Sequence, residues 1–75
     1  MTAERESLRS SVAACVHGLP QEQRDVLLLR EYEELKVREI ARRLSIPEGT
    51  VKTRLRRGLQ ALKSRLQTAG ILEQF

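Results

Sequence analysis

The chain has 75 residues, 14 Lys and Arg against 10 Asp and Glu for a net charge of +4, and 40% hydrophobic residues, nearly all aliphatic. That is enough for one small domain with an aliphatic core, and the apolar content excludes a disordered chain. No apolar run is long enough to span a membrane, the N-terminus lacks a signal-peptide profile, and the single Cys15 excludes an internal disulfide.

The charge is split along the chain. Residues 1–35 hold four Arg against seven acids, a net of −3, and residues 36–75 hold ten Lys and Arg against three Glu, a net of +7. The basic half points to a polyanion such as nucleic acid, and the acidic half to a different partner. Cys15 lies on an apolar stripe and reads as a core residue in a reducing, cytoplasmic setting.

Leu8, Val12, Cys15, Val16 and Leu19 recur at helical spacing, which predicts an amphipathic helix over about 3–17. Gly18 suits a left-handed C-terminal cap. Pro20 fits the first turn of a second helix running to Tyr32 or Glu33, with Glu22 and Asp25 complementing its dipole. In that helix Val26-Leu27-Leu28-Leu29 covers most of the circumference. One part must pack on the domain, and the rest either lies deep in the bundle or awaits a partner. Leu28 and Tyr32 share one side, and Val26 and Arg30 another.

A short third helix is expected over about Val37 to Leu44, with Val37, Ile40, Ala41 and Leu44 inward and Arg38, Arg42 and Arg43 outward. Leu44-Ser45-Ile46 reads as a turn, and Pro47 and Glu48 open a fourth helix. Val51, Leu55, Leu59, Leu62 and Leu66 form its apolar stripe. It can run to about Ala69, with Gly70 as cap and Ile71 folding back on Leu66.

The expectation is therefore an all-α, four-helix domain over residues 1–75, with a C-terminal helix-turn-helix over about 37–69 and a long recognition helix. In that plan the second helix enters the major groove with its N-terminal half toward the bases. Opposite the apolar stripe lie Gly49, Thr53, Arg56, Arg57 and Gln60, with Thr50 and Arg54 on one flank and Lys52 and Lys63 on the other. Arginine suits the O6 and N7 acceptors of guanine, threonine a hydroxyl or thymine-methyl contact, and the flanking cations phosphate.

The stretch Leu19-Pro20 … Arg24-Asp25-Val26-Leu27-Leu28-Leu29-Arg30-Glu31 … Glu39-Ile40-Ala41 … Leu44-Ser45-Ile46-Pro47-Glu48-Gly49-Thr50-Val51-Lys52-Thr53-Arg54-Leu55 resembles region 4 of bacterial RNA polymerase sigma factors, in its extracytoplasmic-function form. The likeness covers about residues 19–66, and the segment from Ile46 to Leu55 is its most specific part. No segment resembles the part of such a factor that melts the promoter −10 element. The resemblance implies a role in transcription initiation, with Lys52, Thr53, Arg56 and Arg57 reading bases of the promoter −35 element. Arg42, Arg43, Thr50 and Arg54 would meet phosphates. It also implies docking on the β-subunit flap of the polymerase core, or burial by an anti-sigma factor, through a surface including Val26, Leu28, Leu29 and Tyr32. The isolated domain would be a monomer of the bacterial cytoplasm. Three positions depart from the pattern: Glu34 and Ser45 replace turn glycines, and Lys36 replaces a capping Ser or Thr. Each departure costs about 1 kcal/mol.

No catalytic triad, phosphate-binding glycine loop or metal-ligand spacing is present in the sequence, so an enzyme, a metal or a cofactor is not expected. His17 is solitary at a helix C-terminus, and Glu33-Glu34 point apart on a helix. Two other readings are a sigma-like module that binds an anti-sigma factor without reading DNA, and the effector domain of a LuxR-type regulator. The first has no need of Lys52, Arg56 and Arg57 aimed at a groove. The second would lack the Leu19-Pro20 and Ile46–Thr50 segments.

Overall fold

The computed structural model describes residues 2–70, with side chains from Ser10 onward. Four helices follow one another: α1 (Thr2–His17), α2 (Gln21–Glu31), α3 (Val37–Leu44) and α4 (Glu48–Thr68). The expected all-helical, four-helix architecture is found, and no strand occurs among the described residues. No helix among them is long and apolar enough to cross a membrane. Leu8 and Ile71, which were expected to make apolar contacts, lie outside the described side chains.

The elements begin and end for local reasons. Pro20 and Pro47 each stand one position before their helix, with extended ψ of 144° and 151°, rather than inside the first turn. The proline ring presets φ, and the carbonyl behind it receives the first helical N–H groups: Gln23 and Arg24 donate to Pro20, Thr50 and Val51 to Pro47. Lys36 precedes α3 and has no side-chain acceptor to offer as a cap. Glu39 compensates from inside the helix, its Oε1 accepting the Lys36 N–H at 2.9 Å.

Helix α3 ends in a Schellman motif. Ser45 is left-handed at φ 57°, the Ile46 N–H donates to Ala41 O at 3.0 Å, and the Ser45 N–H donates to Arg42 O at 3.3 Å. Glu34 is also left-handed, at φ 55°, and this reversal lets the Leu35 N–H return to Leu29 O at 3.1 Å. Both positions that depart from the turn glycines of the family pattern thus adopt the conformation glycine would favour. Gly18 does not, contrary to expectation. An added Cβ there would stand 2.6 Å from Arg65 Nη1, so its service is room for a guanidinium over the end of α1.

Helices α2 and α3 both pack on α4 and on each other, while α1 packs on α4. Val26, Ile40, Ala41 and Val51 form the buried centre, with Leu29, Leu35, Val37, Leu44, Ile46 and Leu55 packed against it. No polar or charged residue is buried among the described residues. The apolar stripe of α4 needs one correction. Leu59 is 51% exposed, and Gly58 occupies the inward position, against Leu27 and Gln23 of α2. The seam therefore runs Val51, Leu55, Gly58, Leu62, with steps of four, three and four that hold it on one side of the helix.

Candidate nucleic-acid interface

The predicted helix-turn-helix is present, with Ser45, Ile46 and Pro47 joining α3 to α4. Ile40 and Ala41 of α3 and Val51 of α4 are buried together, and Leu44, Ile46 and Leu55 close the edges. The small Ala41 allows close approach at the turn. This packing fixes which side of α4 is turned away from the domain.

That outward side carries Gly49, Lys52, Arg56, Arg57 and Gln60, all exposed. Thr50, Thr53 and Arg54 are half-buried along it. Lys52 and Arg56 form one row at a spacing of four, and Thr53 and Arg57 the next, so four side chains occupy roughly 7.5 Å of helix axis. In front of Gly49 an added Cβ would find nothing within 4 Å, which leaves open space at this point of the first turn of α4. A helix presenting such rows fits a major groove about 12 Å wide.

The flanking cations fall into two groups. Arg42 is exposed on α3, one turn beyond Arg38, and the two line a notch with Ser45, Ile46, Pro47 and Glu48 at the helix-turn-helix turn. Arg38 belongs with the candidate phosphate contacts, although only its outward position on α3 was evident from spacing. Arg43 and Arg54 are instead engaged. Arg43 Nη1 lies 3.4 Å from Glu33 Oε1, and Arg54 Nη2 lies 4.0 Å from Glu22 Oε2. Among the described residues no carboxylate pairs with Arg38, Arg42, Lys52, Arg56 or Arg57.

The expected partner surface on α2 is only partly available. Val26 is fully buried in the core, because its side chain points between α3 and α4, and it leaves the candidate surface. Leu29 packs against the same core from its edge. Tyr32 is 77% exposed and Leu28, one turn earlier, is half-buried. The available pair is thus Leu28 and Tyr32, one turn apart on α2.

The sequence is similar to those of known proteins. The family model described as Sigma-70, region 4 matches residues 9–62. The ECF RNA polymerase sigma factor SigW of Bacillus subtilis (strain 168) is 40% identical over 60 residues, covering 80% of this chain and 32% of that protein. The RNA polymerase sigma-H factor of Pseudomonas aeruginosa is 40% identical over 68 residues, covering 85% of this chain and 35% of its own length. The ECF RNA polymerase sigma-E factor of Escherichia coli (strain K12) is 36% identical over 62 residues, covering 83% and 32% respectively. The chain spans about a third of the length of these relatives. With its helix-turn-helix, its outward basic rows and a match across most of its length, the chain belongs to the sigma-70 region 4 family.

Proposed function

We propose that this domain binds duplex promoter DNA at the −35 element as domain 4 of an extracytoplasmic-function sigma factor, in transcription initiation. Helix α4 enters the major groove, where Lys52, Thr53, Arg56 and Arg57 face base edges. Arg38, Arg42, Arg43, Thr50 and Arg54 meet the phosphates on either side. The observation that carries this reading is the pair of rows on α4, whose exposed Lys52, Arg56 and Arg57 have no counter-charge among the described residues. A solvated face has no need to gather uncompensated cations opposite a packing seam.

The second surface belongs to protein. Leu28 and Tyr32 dock on the β-subunit flap of the polymerase core, and an anti-sigma factor would cover the same pair. The exposed tyrosine on the acidic half of the chain supports this division of labour.

Fluorescence anisotropy with a −35 duplex and a scrambled duplex tests the DNA reading. The scrambled duplex should bind with a Kd of about 10⁻⁴–10⁻⁶ M at physiological salt. Log K should fall against log salt with a slope between about −3.6 and −5.4, as expected for roughly four to six phosphate contacts. A flat salt response, or equal affinity for both duplexes, refutes sequence-specific DNA binding. It would leave a protein-interaction module in its place.

A further inference from the structure

Of the arginines assigned to phosphate, Arg43 donates a hydrogen bond to a carboxylate from the acidic half of the chain and Arg54 has another 4.0 Å away, whereas the base-facing cations have none among the described residues. Glu33 sits in the turn after α2 and reaches Arg43 on α3. Glu22 sits in the first turn of α2 and approaches Arg54 on α4. We propose that Glu33, with Glu22 as a weaker companion, is a specificity-determining residue that masks phosphate-binding arginines and suppresses binding to DNA of arbitrary sequence. This inference rests on the DNA-binding reading above.

The side chains of Arg43 and Glu33 are 54% and 50% exposed, so their attraction is screened and contributes little to folding. What the pair changes is the state from which DNA binding begins. An arginine already neutralised by its own carboxylate releases few counterions on meeting a phosphate, and the carboxylate itself is repelled. Every DNA sequence offers phosphates, but only the correct one lets α4 seat fully in the groove. A loose complex leaves Arg43 with Glu33. A fully seated complex brings the phosphate close enough to take the guanidinium, because two charge-assisted bonds to one anion replace a single long contact. Masking the phosphate-facing cations while Lys52, Arg56 and Arg57 stay open therefore penalises the loose complex more.

The test uses the 75-residue chain and the two duplexes already named. Glu33→Gln keeps the shape of the side chain and removes its charge. It should raise affinity for the scrambled duplex by up to about eightfold at 0.1 M salt and steepen the salt slope by about 0.9, the value for one phosphate contact. Affinity for the −35 duplex should rise less, so the ratio between the two narrows. In an Arg43→Ala background the same change should have no effect on the slope. Glu31→Gln removes an exposed carboxylate with no cation partner among the described residues, and should leave the slope unchanged. The proposal is overturned if Glu33→Gln behaves like Glu31→Gln, if its gain survives Arg43→Ala, or if the slope steepens with the specificity ratio intact. Absence of salt-dependent binding by the unsubstituted chain would overturn the DNA-binding reading, and the masking with it.

Discussion

Replacing Gly58 by alanine sets two effects of opposite sign against each other. In an open helix the change stabilises by about 0.8–1 kcal/mol, because alanine loses less backbone entropy on folding. At Gly58 an added Cβ would stand 3.1 Å from Leu27 Cδ1 and 3.3 Å from Gln23 Cβ and Leu27 Cγ. Leu27 is 3% exposed and has little room to yield. Overpacking of this kind costs about 1–3 kcal/mol, so the net effect runs from neutral to a loss of about 2 kcal/mol. Gly49 supplies the internal control. It lies in the same helix with nothing within 4 Å of its added Cβ, and alanine there should stabilise by up to about 1 kcal/mol. One kcal/mol moves the midpoint of a domain this size by roughly 4–8 °C. Thermal unfolding followed by circular dichroism should therefore place Gly49→Ala above the unsubstituted chain and Gly58→Ala at or below it. Equal rises for the two variants would refute the close approach of α2 and α4 at Gly58.

The left-handed residues give a second expectation: Glu34→Gly and Ser45→Gly should each stabilise by about 0.5–1 kcal/mol. The relieved strain is about 1–2 kcal/mol and the added freedom of the unfolded chain offsets part of it, with urea midpoints as the measure. Arg57→Ala should cost ~1–3 kcal/mol on the −35 duplex and relax base preference at one or two positions, while Arg42→Ala weakens binding to all sequences alike. Indistinguishable behaviour of that pair in a competition assay would mean that the groove-facing side of α4 is misassigned. Tyr32→Glu should abolish binding to the polymerase core while leaving the thermal midpoint and DNA affinity nearly unchanged, because this side chain is 77% exposed. Retained docking would move the polymerase surface elsewhere, with α1 the next place to look.

Much of the fold was legible because it depends on local chemistry. The apolar phase of Val37, Ile40, Ala41 and Leu44 marked out α3, expected over about Val37 to Leu44 and found there, and Pro47 marked the start of α4 to within one position. The features that escaped have physical reasons. Gly58 contributes no side chain, so an apolar stripe passes over it and selects its neighbour Leu59 instead. Val26 and Leu28 are equally apolar, and four such residues in a row carry no phase, so only packing against α3 decides that Val26 goes inward. The Glu33–Arg43 and Glu22–Arg54 pairs join residues 10 and 32 positions apart, beyond the reach of any helical spacing. Arg65 over Gly18 is another such long-range meeting, and it explains a glycine that resembled an ordinary cap.

The placement of Tyr32 has a spectroscopic consequence. The chain has no tryptophan and a single tyrosine, and that tyrosine stands on the outer side of α2 rather than in the aliphatic core. Its emission is therefore almost blind to loss of the core. It should respond strongly when a partner closes over α2, and energy transfer to a tryptophan in that partner would report the event without any label. With a partner fragment free of tyrosine and tryptophan, this one ring would be the sole emitter and would report occupancy of the proposed protein-facing side.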